Sequence, residues 1–148
     1  MLKVRQINNE KELINISRND IIDFLYTHLD RFRDEKVSIG KCIDYAFKKN
    51  GGTGGFVLTG HYDGRLVGVV VMNETGMEGF IPENILVYIA VDANIRGKGI
   101  GKQLINEAIS RVNGDVKLHV EYDNPAKNLY ERLGFTNKYA EMRFTKNK

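Results

Sequence analysis

In the first third of the chain, hydrophobic residues recur first at every second position and then at helical spacing. The two spacings predict the first strand and the first helices. Alternation in residues 2–7, "LKVRQI", predicts a β-strand. Apolar residues at helical spacing predict two helices, one following a cap at Asn19 and one running from a cap at Ser38 to a stop at Gly51. A strand followed by a helical segment therefore opens the fold.

The middle of the chain has the composition of β-sheet. The runs "FVLTGHYD" and "RLVGVVVMNE" are rich in β-branched residues and are joined by Asp63-Gly64, a strong signal for a hairpin. The run "ILVYIAV" at residues 85–91 is apolar on both faces, as is typical of a central strand covered on both sides. We expect an antiparallel pair followed by a buried strand.

The last third alternates again between the two periods. Apolar residues at helical spacing in residues 100–112 predict a helix that lies on the sheet. Residues 115–122, "DVKLHVEY", alternate like a strand, residues 124–135 predict a helix, and "KYAEMRF" at 138–144 predicts a final strand. The order predicts one domain over residues 1–148, of the α/β class.

Composition narrows the class of protein. The chain has 148 residues with a net charge of +3, and its charges are too evenly mixed to suggest a nucleic-acid-binding protein. Cys42 is the only cysteine, which fits a small core residue in a reducing compartment, and no Cys/His cluster has metal-site spacing. No run approaches the length of a membrane span, so we expect a cytoplasmic protein without membrane, nucleic-acid or metal partners.

Three glycines and three cations are concentrated in "RGKGIGK", residues 96–102, immediately before the helix at residue 100. The first N–H groups of a helix lack intrahelical acceptors, and glycines leave them unobstructed, so such a turn can bind a phosphate or diphosphate. The alternative is a tight turn without a ligand. The spacing fits neither a P-loop nor a dinucleotide fingerprint.

The order of a buried strand, this loop, and "NPAKNLYERLGF" after a further helix and strand resembles the GNAT family of acetyl-CoA-dependent N-acetyltransferases. Arg96, Gly99 and Gly101 match the three fixed places of the family's Q/R-x-x-G-x-G/A motif. The resemblance implies a mixed, mostly antiparallel sheet flanked by helices, in which the strands before and after the loop and its helix splay apart. It also implies acetyl-CoA as co-substrate and an amine of a small molecule, peptide or protein as acceptor; many relatives are homodimers.

The same resemblance implies two groups of cofactor contacts. Pantetheine amides would pair with the bulged strand before the loop, where a backbone N–H, with Val91 as the first candidate, would stabilise negative charge on the thioester oxygen. The diphosphate would bind the loop. The implied contacts are Ile89, Ala90, Val91, Arg96, Gly97, Lys98, Gly99, Ile100, Gly101 and Lys102.

Tyr130 matches the tyrosine that serves as general acid in the family. A hydroxyl with an ordinary pKa near 10 can protonate the departing thiolate. The alternative is a tyrosine that only packs between Leu129 and Leu133 on an amphipathic helix. Asn124 and Asn128 are candidate cofactor contacts, although the family's asparagine aligns with Asp123 and an Asn-Pro pair also caps a helix.

An ammonium acceptor must lose a proton before it attacks, so a general base is expected. His119 and Glu121 would share one face of the predicted strand at 115–122, and His119 lies about where some relatives place a base. A simple hydrogen-bonded pair is the alternative. Glu83 is a rival base, but the family's position for it aligns with Ile85.

These residues predict an N-acetyltransferase that acts by direct attack of a primary amine on acetyl-CoA. The alternative is a non-catalytic module that binds acetyl-CoA, with a nucleotide-binding protein as a more distant third possibility.

Overall fold

The computed structural model describes residues 1–147, in which five strands form one mixed sheet in the order β1-β2-β3-β4-β5. Neighbouring strands are antiparallel except β4 and β5, which are parallel. The strands are β1 (Lys3–Ile7), β2 (Gly55–Tyr62), β3 (Arg65–Glu74), β4 (Asn84–Val91) and β5 (Val116–Lys117). The helices are α1 (Arg18–His28), α2 (Lys36–Ala46), α3 (Ile100–Ser110) and α4 (Ala126–Arg132). The predicted fold class is confirmed.

The β2–β3 hairpin turns where the sequence predicts it. Tyr62 pairs with Arg65, which leaves Asp63 and Gly64 as a two-residue loop. Both loop residues have positive φ, 49° and 79°. This geometry matches the right-handed twist of the flanking strands and favours Asp-Gly.

Both predicted helix caps in the first segment are wrong. Helix α1 is capped by Ser17, whose Oγ accepts the Asp20 N–H at 3.0 Å while the Ser17 N–H donates to the Asp20 carboxylate at 2.8 Å. This reciprocal box satisfies two donors, which Asn19 within the first turn could not do. Helix α2 begins at Lys36, so Ser38 lies inside its first turn.

Two layers of helix cover the sheet. Helices α1 and α2 pack on one face, where they form the larger core with inward-facing residues of β2, β3 and β4. Because side chains alternate along a strand, the neighbours of the core residues Val69 and Val71 face the opposite side, where α3 packs. The fully or nearly fully buried residues of α3 are Ile100, Leu104, Ile105 and Ala108.

The chain forms two compact units that divide after Leu118. The second unit contains α4, and no residue from 119 to 147 lies in a strand. The predicted strand at 115–122 is thus shortened to Val116–Lys117, and the predicted final strand at 138–144 does not form. Alternating sequence is insufficient for a strand, because the backbone of each strand needs a partner in a ladder.

Candidate active site

Strand β4 carries a bulge that changes which of its backbone groups face β3. Val71 pairs with Tyr88 whereas the next residue, Met72, pairs with Leu86, so Val87 is an extra residue in β4. A bulge bends its strand and re-aims the residues beyond it. The family resemblance implies a bulge in this strand.

Beyond the bulge, one edge of β4 has no partner strand. The parallel pairing with β5 consists of Asn84 with Val116 and Ile85 with Lys117, so the two strands separate after Ile85. In the described part of the chain, no strand pairs with this edge of β4 from residue 86 onward. The edge opens towards the end of β4 that leads into the glycine loop, which is the segment from Asp92 to Lys102.

The direction of the backbone groups at this edge follows from one hydrogen bond. The Asp92 N–H donates to the Val67 carbonyl at 2.9 Å. Along an antiparallel pair, residues whose N–H and C=O bond to the neighbouring strand alternate with residues whose N–H and C=O point away from it. Ala90 therefore directs its N–H and C=O to β3, and its side chain is buried. Ile89 and Val91 direct theirs to the open edge, so they are the two predicted contacts whose backbone groups lie there.

The glycine loop leaves its backbone uncovered. Gly97 and Gly99 have φ of 86° and 77°, and a Cβ built on either would meet no atom within 4 Å. The first bond of α3 is from the Gln103 N–H to the Gly99 carbonyl at 3.0 Å, and within residues 1–147 the N–H groups of residues 97 and 99–102 form no hydrogen bond. Unpaired N–H groups around an empty space are suited to an anion such as the diphosphate of acetyl-CoA.

The predicted cations of the loop have different surroundings. Arg96 uses its guanidinium to hold the loop, with Nη2 donating to the His28 carbonyl at 2.6 Å and Nε to the Val91 carbonyl at 3.3 Å. Lys98 and Lys102 are exposed. A groove of about 360 Å³ runs from the loop along α3. Its lining residues are Gly99, Lys102, Gln103, Asn106, Glu107 and Ser110.

Two residues that position the loop were not found from the sequence. Asp92 accepts the Asn94 N–H at 2.9 Å and forms an ion pair with Arg65. His28 accepts the Ala93 N–H on Nδ1 at 3.1 Å. An aspartate two residues before an asparagine in a turn is a detectable local signal for Asp92. No local signal exists for His28, because it lies 65 residues from its partner.

Helix α4 ends in a Schellman motif that fixes the surroundings of Tyr130. The Phe135 N–H donates to the Tyr130 carbonyl at 3.0 Å, the Gly134 N–H donates to the Glu131 carbonyl at 3.1 Å, and Gly134 has a φ of 101°. The Phe135 ring meets the Tyr130 ring edge-on with centroids 5.8 Å apart. The "LGF" sequence thus closes the helix and packs against Tyr130.

The Tyr130 side chain is buried, at 8% exposure. Burial raises the pKa of its hydroxyl to about 12, and the negative charge of Glu121 acts in the same direction. The hydroxyl therefore carries its proton throughout the neutral range, as a general acid must.

The candidate bases lie on an irregular segment of the second unit. His119 and Glu121 are exposed and follow the end of β5, so they do not share a strand face as predicted. Asn124 accepts the Ala126 N–H on its side-chain oxygen at 2.9 Å, which is the local capping role. Asn128 is exposed on α4.

Glu83 has a structural role. Its carboxylate accepts the Asp115 N–H at 2.6 Å and the Gly79 N–H at 3.2 Å. These backbone bonds, the one from Asp115 first, lower the pKa of Glu83 and make it a weaker base. The residue joins the loop before β4 to the turn before β5.

The described residues 1–147 contain no group of three or more His, Cys, Asp or Glu residues that could hold a metal ion. They also contain no helix with the length and apolar character needed to cross a membrane.

Comparison with solved structures identifies the fold. The structure resembles a ribosomal-protein-alanine N-acetyltransferase from Brucella melitensis biovar Abortus 2308, with a TM-score of 0.65 and 16% identity over 98% of this chain and 99% of the other. It also resembles the aminoglycoside N-acetyltransferase AAC(6')-Iy in complex with CoA, with a TM-score of 0.69 and 16% identity over 100% and 96% of the two chains.

A third structure, a transcriptional regulator from Bacillus halodurans C-125, has a TM-score of 0.70 and 18% identity over 98% of this chain and 99% of the other. A search of curated proteins found no match. The sequence model of the acetyltransferase (GNAT) domain matches residues 53–137, which include the β2–β3 hairpin, the glycine loop and α4. With more than half of its length matched, this chain belongs to the GNAT acetyltransferase family.

Proposed function

We propose that this protein is an N-acetyltransferase that moves the acetyl group of acetyl-CoA to a primary amine of a small molecule, peptide or protein. The observation that carries the proposal is the continuity of two backbone regions with unpaired N–H groups in the first unit. The open edge of β4, to which the N–H groups of Ile89 and Val91 are directed, leads into a loop whose N–H groups at residues 97 and 99–102 form no hydrogen bond.

The residues of the first unit fit acetyl-CoA in two ways. The N–H groups beside Gly97 and Gly99 would bind the diphosphate, and Lys98 and Lys102 would add positive charge. The backbone N–H and C=O of Ile89 would pair with a pantetheine amide as a further strand would, and the Val91 N–H would remain for the thioester oxygen. When bound, acetyl-CoA supplies the thioester whose acetyl group is transferred.

The proposed roles of single groups follow from where charge develops. The Val91 N–H would stabilise negative charge on the thioester oxygen as the amine nitrogen forms its bond to carbon. The Tyr130 hydroxyl would donate its proton to the sulfur as the carbon–sulfur bond breaks. His119 or Glu121 would take the proton that the ammonium group must lose.

The acceptor is proposed only as a class. Two of the structural neighbours are described as acting on a ribosomal-protein alanine and on aminoglycosides, and both of these acceptors present amines. At 16% identity these neighbours do not select between a peptide and a small molecule.

The test is incubation of the purified protein with acetyl-CoA and a mixture of polyamines, amino acids, aminoglycosides and peptides. Free-thiol release and product masses are recorded together. An acetylated product that accumulates with thiol release supports the proposal and identifies the acceptor class. Binding of acetyl-CoA without any product would favour the non-catalytic module, and absence of binding would contradict both functions.

A further inference from the structure

The carboxyl end of α1 is joined to the start of the glycine loop by two hydrogen bonds, in both of which the loop donates and His28 accepts. The Ala93 N–H donates to Nδ1 of His28 at 3.1 Å. Arg96 Nη2 donates to the carbonyl of the same histidine at 2.6 Å. One residue of α1 therefore binds the loop through both its side chain and its backbone.

The loop residues that contact His28 are also held by hydrogen bonds within their own segment. Asp92 accepts the Asn94 N–H at 2.9 Å, and Arg96 Nε donates to the Val91 carbonyl at 3.3 Å. These bonds fix the backbone from the end of β4 to Arg96. Gly97 and Gly99 follow at once, and glycine at positive φ has no side chain to restrain it, so the direction in which the chain enters the glycines depends on these contacts.

The hydrogen bond to Ala93 fixes the chemical state of His28. Because Nδ1 accepts an N–H, it carries no proton, and the neutral ring has its proton on Nε2. From its own helix, the Phe24 ring packs on the imidazole with centroids 4.5 Å apart. A protonated ring would direct Nδ1–H at the Ala93 N–H, so this hydrogen bond would be lost.

The charges around the imidazole come from two further elements. Asp92 and Arg96 belong to the segment after β4, and Arg65 belongs to the start of β3. Burial lowers the pKa of His28; Asp92 opposes this effect, whereas Arg96 and Arg65 reinforce it. The neutral ring is thus the form that the surroundings favour at neutral pH.

We propose that neutral His28 is a positioning residue that holds the start of the glycine loop against α1, and that protonation of His28 releases the loop and weakens binding of the cofactor diphosphate. This inference rests on the proposed function, because it takes the loop to be the diphosphate site. His28 does not touch the cofactor in this proposal and acts through Ala93 and Arg96.

The first test measures the dissociation constant of coenzyme A by calorimetry between pH 5 and pH 8. The wild type is compared with His28→Asn, whose amide oxygen can accept the Ala93 N–H but does not titrate, and with His28→Ala, which has no acceptor. His61→Asn is the matched control, since His61 bonds to Thr59 in β2. Coenzyme A phosphates titrate near pH 6 in every sample, so only differences between variants are interpreted.

At pH 8 we expect His28→Ala to bind coenzyme A roughly threefold to tenfold more weakly than the wild type, as for the loss of one hydrogen bond. His28→Asn should bind like the wild type there. As the pH falls, the wild type should lose affinity relative to His28→Asn and approach His28→Ala. Parallel pH profiles of the wild type and His28→Asn, or equal affinity of all three proteins at pH 8, would overturn the proposal.

A second test needs no ligand. In ¹⁵N-labelled full-length protein, the Ala93 amide resonance should titrate with the same midpoint as the His28 ring, below the ordinary value near 6.5. In His28→Asn that titration should vanish, while in His61→Asn it should persist. An Ala93 amide that does not follow His28 would disprove the hold of His28 on the loop through this hydrogen bond. Failure of every protein to bind coenzyme A, with the amide titration intact, would contradict the proposed function instead.

Discussion

The Cδ1 atom of Leu104 occupies the space that a Cβ on Gly68 would fill. Leu104 is fully buried at the centre of the α3 face, and Gly68 lies in β3. The missing side chain lets α3 approach the sheet closely. Since α3 begins at the glycine loop, the contact between Leu104 and Gly68 also affects the distance between the loop and the sheet.

Gly68→Ala should destabilise the protein by about 1–3 kcal/mol, because the Cδ1 methyl of the fully buried Leu104 would have to shift within a packed core. Gly60→Ala is the matched control, since a Cβ there would lie 3.2 Å from Leu2 Cδ1 and 3.3 Å from Leu104 Cδ2 and needs only a small adjustment. Urea denaturation measures both. An equal loss of unfolding free energy in the two variants would contradict the close approach at Gly68.

Substitution of Gly99 should separate backbone strain from charge. A side chain at residue 99 must adopt the positive φ of 77°, which costs about 1–2 kcal/mol of stability in both Gly99→Gln and Gly99→Glu. The two side chains are also similar in size. Only glutamate brings a negative charge to the proposed diphosphate site. We expect coenzyme A affinity, measured by calorimetry, to fall much further for Gly99→Glu than for Gly99→Gln at low salt. Equal coenzyme A affinities of the two variants would contradict the assignment of the loop as an anion-binding site.

Tyr130→Phe should lower kcat about 10²-fold and leave the dissociation constant of acetyl-CoA unchanged, because it removes the proton donor and keeps the ring that packs on Phe135. Tyr139→Phe removes a hydroxyl from a side chain that is 79% exposed and should not affect either quantity. Steady-state kinetics with the identified acceptor and calorimetry provide the two readouts. Full activity of Tyr130→Phe would assign the acid to another group.

The ion pair between Arg18 and Asp44 should make stability depend on acid pH. Arg18 Nε and Nη2 donate to the two carboxylate oxygens at 2.8 and 2.9 Å, and this interaction lowers the pKa of Asp44. Asp44→Asn should cost about 1–2 kcal/mol at pH 7. A depressed pKa gives stability that is complete above about pH 4, the ordinary range of the unfolded carboxyl, and is lost as the pH falls through the folded pKa.

The matched control for this pair is Asp23→Asn. Asp23 pairs with Lys36 at 3.0 Å, but the two side chains are 61% and 53% exposed, so its loss should cost less than about 0.5 kcal/mol. Denaturation of the wild type and both variants at pH 7 and at pH 2 provides the comparison. If the difference between the wild type and Asp44→Asn stays constant down to pH 2, the pair does not stabilise the fold in its charged form.

The sequence by itself determined the turns and helix ends that depend only on interactions between residues close together in the chain. Asp63-Gly64 specifies its hairpin because both residues accept positive φ, and Gly134 ends α4 for the same reason. The glycines of residues 96–102 identify a helix start with free N–H groups, and the motif around them identifies the family. Each of these features depends on neighbours within a few residues.

The tertiary structure decided whatever depends on a partner far along the chain. Residues 119–122 and 138–144 alternate like strands, yet neither segment lies in a ladder, because pairing requires a second strand that alternation does not supply. The open edge at Val91 exists because β4 and β5 separate after Ile85. The hold of His28 on the glycine loop joins positions 65 residues apart, and only the packing of α1 against β4 brings them within hydrogen-bonding distance.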